Sequence, residues 1–148
     1  MAKRSKPESH GDGEPKPSQV TEAYWLSAER KAGEYPAHTE RGGKWLLFVP
    51  VSQIDEVWAK VKDATEKGLL GGSSKVATAK PNPNATNHDS KVICVYTYDW
   101  TDEEDVRRVR AVLRELGIVA NIPYKADNDT LAGNYANRGQ KRISKYYE

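Results

Sequence analysis

Gly71–Trp100, GGSSKVATAKPNPNATNHDSKVICVYTYDW, reads as two strands either side of a polar loop, and the rest of the chain is arranged to present it. In KVICVYTY (91–98), Val92, Cys94, Tyr96 and Tyr98 alternate with Ile93, Val95 and Thr97. Both faces are therefore largely apolar, as expected of a central strand with one face under helices and the other lined by aromatic and polar groups. KVATAK (75–80) is a shorter strand that PNPN cannot continue, because proline has no amide to donate. Lysines at strand ends, an Asn-rich loop carrying His88 and a buried strand behind it suit an anion held against a rigid sheet.

Upstream, KWLLFV (44–49) is an apolar run too short for a helix and suited to a buried strand. Ser52 and Asp55 have capping-box spacing, and Ile54, Val57, Trp58, Val61 and Ala64 recur at helical period, predicting an amphipathic helix to about Lys67 with Gly68 as its stop. Thr101 and Glu104 repeat the capping pattern. Val106, Val109, Val112, Leu113 and Leu116 form a second buried stripe, and Arg107, Arg108, Arg110 and Arg114 complement the helix dipole. After Gly117, IVANIPY (118–124) predicts another strand, with Pro123 placing its end at an edge or bulge. Thr21 caps a predicted short helix through Lys31, with Ala23, Leu26 and either Tyr24 or Trp25 inward, and EYPAHTERGGK delivers His38 and Arg41 to the first strand. Residues 1–18, rich in Lys, Pro, Glu, Gly and Ser, read as a disordered tail before a single domain over 19–148.

Strand, capping box, helix, glycine stop and strand thus occur twice, predicting an α+β domain with helices on one face of a sheet and the other face free to bind. A ferredoxin-like sandwich of two βαβ units is the alternative architecture. The 148 residues, 37% of them apolar, suit one domain with its own core. A formal charge of +2, from 23 basic and 21 acidic residues, does not indicate a non-specific nucleic-acid coat. Charge is nonetheless concentrated in NRGQKRISK (137–145), where four basic residues and no acid offer an anion-binding patch. The single Cys94 excludes an internal disulfide and cysteine-based metal sites, and reads as a small core residue in a reducing cytoplasm. No apolar run reaches bilayer length, so neither a membrane span nor a secretory signal is expected. Hydrolase triads, phosphate-binding Walker loops, dinucleotide fingerprints and zinc clusters do not occur, and ADNDTLAGNY lacks the sixth-place glycine and closing acid of a calcium loop, so neither a metal nor a cofactor is expected.

GKWLLFV, IDEVWAKV, SSKVATAKPNPN, KVICVYTYDW with its acidic helix, and IPYKADNDTLAGNY together resemble the Bles03-type family, whose members carry the label phosphothreonine lyase domain proteins. That family is similar in fold to the cap-binding translation initiation factor 4E. The resemblance implies a curved, mainly antiparallel sheet backed by helices, with a phosphorylated or nucleotide-like ligand in its concave face.

Three functions follow as expectations. The first is a binding domain for a nucleotide, RNA end or phosphopeptide on the open sheet face. Its candidate contacts are Arg41, Lys75, Lys80, His88, Lys91, Lys125, Tyr135, Arg138 and Arg142, with Tyr96, Tyr98 and Tyr124 lining it. Of the four tryptophans, Trp45 and Trp58 read as core, while Trp25 and Trp100 lie nearer element ends. The second is β-elimination of phosphate from phosphothreonine, with Lys75, Lys80 or Lys91 as base and His88 or His38 as acid. The third is a protein-interaction module whose charged helix surfaces dock a partner without a small ligand.

Overall fold

Trp45, Leu47 and Val49 alternate with Lys44, Leu46 and Phe48, and a strand sends these two sets to opposite faces. In the computed structural model, which describes residues 14–81, 89–128 and 144–148, that segment is strand β2 (Gly43–Pro50). The other strands are β1 (Trp25–Glu29), β3 (Ser73–Ala77), β4 (Ser90–Thr97), β5 (Pro123–Ala126) and β6 (Tyr146–Tyr147). The helices are α1 (Ile54–Glu66), between β2 and β3, and α2 (Glu103–Glu115), between β4 and β5. The described strands form one curved sheet in the order β1-β3-β4-β2-β5-β6, with every neighbouring pair antiparallel.

Both helices cover the same face. Trp45, Leu47, Val76, Ile93, Val95 and Tyr124 from the strands join Ile54, Trp58 and Val61 of α1 and Val106, Val109 and Leu113 of α2 in one buried cluster. Trp45 and Trp58 are core residues, 0% and 3% exposed, and Trp45 Nε1 donates to the Val106 carbonyl at 3.0 Å. Gly68 and Gly117 follow the helices with φ of +81° and +106°, a left-handed turn that glycine adopts without steric cost. No helix among the described residues is long and apolar enough to cross a membrane.

The connectivity joins both expected architectures. Strand β4 lies between β2 and β3, and β2 lies between β4 and β5, so each strand-helix-strand unit has its two strands separated by one strand of the other. Two interlocked split β-α-β units therefore form the middle of the sheet, and β1 and β6 extend it on either side.

Several local expectations are corrected. Residues 25–29 are a strand, not part of a helix from Thr21 to Lys31. Leu26 and Ala28 alternate into the core while Trp25, Ser27 and Glu29 face away, and pairing with β3 from Trp25↔Ala77 to Glu29↔Ser73 overrides the local helical spacing. Neither capping box forms. The Asp55 carboxylate accepts from the Ser18 amide (2.9 Å) and hydroxyl, and no side chain caps α1. On α2, Asp102 caps by accepting from the Asp105 amide, while the Thr101 hydroxyl donates to Asp99. The third strand ends at Ala77, before Lys80. The fifth begins at Pro123, the position where a missing amide costs a strand least, and residues 118–122 are not part of it. Arg110, read from the sequence as complementing the helix dipole, is 2% exposed and ties α2 to backbone carbonyls.

Candidate functional site

The face turned away from the helices is built by strand alternation. Lys75 of β3, Cys94 and Tyr96 of β4, Lys44 and Leu46 of β2, and Lys125 of β5 have the parity opposite to the core residues. Register places them in two rows. One runs Ser27, Lys75, Cys94, Leu46, and the next runs Tyr96, Lys44, Lys125. Lys75 and Lys125 are three strands apart, about 14 Å in the hydrogen-bonding direction. Trp25 of β1 flanks this face, with the Lys75 ammonium 3.9 Å from its ring centroid.

The β2–β5 pairing brings together groups distant in sequence. Asp127, just after β5, accepts from Lys44 Nζ at 2.8 Å through one oxygen and pairs with His38 Nε2 at 2.8 Å through the other. His38 lies against Tyr96, their ring centroids 6.2 Å apart. Cys94 is 5% exposed, and its thiol is pushed up by burial, with the positive charges of Lys75 and Lys44 opposing the shift. Burial also raises the Tyr96 phenol, so this ring stays a neutral hydroxyl at physiological pH.

Two sequence-predicted contacts, Lys75 and Lys125, therefore share the open face. Arg41 is engaged elsewhere: its Nε and Nη2 donate to the Asp99 carboxylate, with Nη2 at 2.8 Å. Lys80 lies beyond β3 with its ammonium 4.4 Å from the Tyr24 ring centroid. Lys91 opposes Val49 and has the parity of Ile93 and Val95, so the strand directs it to the opposite face from Lys75. His88, Tyr135, Arg138 and Arg142 lie outside the described residues. Sequence reasoning missed Lys44 as part of this face. The signal available was its place beside Trp45 in KWLLFV, where alternation puts the two on opposite faces.

The Arg41–Asp99 pair makes a pH prediction. Hydrogen bonds from Arg41, and then from the Thr101 side chain and amide, hold the Asp99 carboxyl down at about 2, below its ordinary value of 3.8. A depressed carboxyl contributes stability that is complete above its unfolded pKa and is lost as pH falls through the folded value. Asp99→Asn is therefore expected to flatten the fall in melting temperature between about pH 4 and pH 2, relative to the parent. An unchanged acid limb in parallel melts would mean that Asp99 does not carry this dependence.

The family model described as "Basophilic leukemia-expressed protein Bles03" matches residues 35–131, more than half of the chain. Among solved structures, schistosome eIF4E complexed with m7GpppA and 4E-BP is similar at a TM-score of 0.53 and 17% identity, covering 74% of this chain and 60% of that one. Schistosome eIF4E with m7GpppG and 4E-BP gives 0.54 and 17%, covering 74% and 59%. C. elegans eIF4E-3 with the 4E-binding protein Mextli and cap analog gives 0.50 and 22%, covering 62% and 54%. The chain thus spans less than two thirds of the length of these structures, and at such identities the likeness concerns the fold. The family match over residues 35–131 takes in Lys44, Lys75, Cys94, Tyr96, Lys125 and Asp127 of the open face, though not β1, and this chain belongs to the Bles03 family, built on an eIF4E-like fold.

Proposed function

We propose that the open sheet face binds a phosphate-bearing ligand: a nucleotide, an RNA end or a phosphopeptide. The observation that carries this reading is the convergence of Lys44, Lys75 and Lys125 on one face around Cys94 and Tyr96, with the Trp25 indole beside Lys75. Among the described residues, Lys75 and Lys125 have no carboxylate partner, so their charge is available to an anion. Trp25 and Tyr96 supply flat apolar surface for a base or an aromatic side chain. The similar eIF4E structures, complexed with m7GpppA, m7GpppG or a cap analog, support a ligand of this chemical type. His88, Tyr135, Arg138 and Arg142 complete the proposed contact set on sequence grounds. The proposed setting is the cytoplasm, where phosphorylated ligands and a free cysteine coexist.

The test is a thermal-shift panel of nucleotides, cap analogues, short RNAs and phosphothreonine peptides, with peptide mass followed in the same wells. Replacing Lys75 and Lys125 by alanine together is expected to weaken the active ligand by about tenfold per lysine, the scale of one charge-assisted hydrogen bond, while melting temperature holds. Equal affinity in the double variant would place the ligand off this face. Loss of phosphoric acid from the peptide would instead make the chain a phosphothreonine lyase, and silence across the panel would favour a protein-interaction module.

A further inference from the structure

The geometry points to a second binding site, adjoining the phosphate face through the shared Tyr96 and of opposite charge preference: an aromatic cage for a methylated ammonium group. Tyr35, Pro36, His38, Tyr96 and Tyr98, together with Gly72, Ser73 and Thr97, line a cavity of about 100 Å³. A space of this size, open to solvent on one side, takes a compact head group. Tyr35 and Tyr98 stand edge to face, 5.5 Å apart at 88°, and His38 and Tyr96 are 6.2 Å apart at 69°. The four rings thus border the cavity as two near-perpendicular pairs, and a cation seated among them would be held by its attraction to ring quadrupoles.

Carboxylates behind the walls strengthen this preference. The Tyr35 hydroxyl donates to Asp105 at 2.6 Å, the Tyr98 hydroxyl donates to Asp102, and His38 Nε2 pairs with Asp127 at 2.8 Å. Asp105 is also paired with Arg108 at 2.9 Å and Asp127 with Lys44 at 2.8 Å, so among the described residues it is Asp102 that brings negative potential to the rings and disfavours an anionic guest. The phenols remain neutral: burial and the bond to Asp105 push Tyr35 far up, and the bond to Asp102 lifts Tyr98 to about 12. Tyr35 already serves as a cation acceptor, with the Arg30 guanidinium 4.7 Å from its centroid and tied in place by the carbonyls of Leu70 and Gly71. A methylated ammonium suits the cavity better than a bare one, because its methyl groups replace a tightly held water shell with apolar contact. Pro36 and His38 are exposed, so the cage opens to solvent. The guest needs no phosphate, and this site stands whether or not the open face binds one.

Titration of the full chain with choline and with its neutral carbon isostere dimethylbutanol, followed by amide NMR shifts at Gly72, Ser73 and Tyr98, tests the assignment. Saturable shifts with choline and none with the isostere are expected. Tyr96→Leu is expected to weaken choline binding about tenfold, and Lys75→Ala with Lys125→Ala to leave it unchanged. Gly72→Ala provides a variant that spares the walls, since its methyl would stand 3.6 Å from the Tyr35 ring in ordinary contact and occupy part of the space. It is expected to abolish the shifts with melting temperature preserved. A peptide carrying trimethyl-lysine that binds more tightly than choline would identify a protein side chain as the guest, and equal affinity would identify a free quaternary ammonium; either supports the cage. Equal response to choline and dimethylbutanol, or no response to choline or the peptide, would overturn it.

Discussion

Arg110→Ala is expected to destabilise the protein by about 4 kcal/mol, roughly 12 °C in melting temperature for a chain of this size. The side chain is 2% exposed and its guanidinium faces backbone oxygens: Nε donates to Glu148 at 2.8 Å, Nη1 to Ile118 at 2.9 Å and Nη2 to Ala120 at 2.6 Å. Burial pulls its pKa down, but an arginine so bonded stays charged at neutral pH. Removing it leaves these acceptors without their donor and opens a void beside Trp45, whose ring centroid lies 5.9 Å from the guanidinium carbon. Arg110→Lys should recover only part of the loss, because one ammonium cannot span three oxygens held by a planar fork. Denaturant unfolding of the parent and both variants measures this directly. A loss below about 1 kcal/mol for alanine would mean that water replaces the guanidinium at those carbonyls.

Gly43→Ala is expected to cost about 3 kcal/mol by overpacking. A Cβ there would stand 2.5 Å from the ring and hydroxyl of Tyr124, which is 0% exposed, and whose oxygen lies 2.7 Å from the Thr97 hydroxyl. That ring also packs edge to face with Trp45 at 5.3 Å and with Tyr146 at 5.4 Å, so it cannot yield without disturbing two neighbours. The second change Tyr124→Leu should relieve the clash, making the double variant more stable than the sum of the single losses predicts. Strict additivity would show that the strand, rather than the ring, absorbs the extra methyl.

What could be read from the chain follows the range of the interactions concerned. KVICVYTY and KWLLFV announce strands through their own alternation, and Val57, Trp58, Val61 and Ala64 announce a helix, because burial of one face writes its period locally. Strand β1 did not announce itself. Leu26 and Ala28 suit either period, and what decides is pairing with Val76 and Ser74, some fifty residues on. The first capping box failed similarly, since Asp55 is recruited by Ser18 from a distant segment, whereas the second lost to its immediate neighbours, Asp102 capping the helix and Asp99 taking the Thr101 hydroxyl. At the site, Lys75 and Lys125 could be proposed from strand position. The Lys44–Asp127–His38 group could not, because it exists only once β2 has paired with β5 and the loop before β2 has folded back. The cage is further from local sequence still, as its walls come from the loop after β1 and from the end of β4, and none of them is unusual alone.

The interleaved order of the inner strands has a consequence for how the molecule comes into being. Synthesis delivers β2, α1 and β3 before β4 exists, yet β2 and β3 are not neighbours, and the gap between them is filled by a strand made later. The early half therefore has no completed sheet to rest on and must wait with its apolar faces unpaired, which raises the entropic cost of the first productive contacts and slows folding relative to a chain of adjacent hairpins. The same arrangement makes the finished protein all-or-none: neither half can peel away without unzipping strands on both sides of the other, so the open face, assembled from both halves, is present whole or not at all.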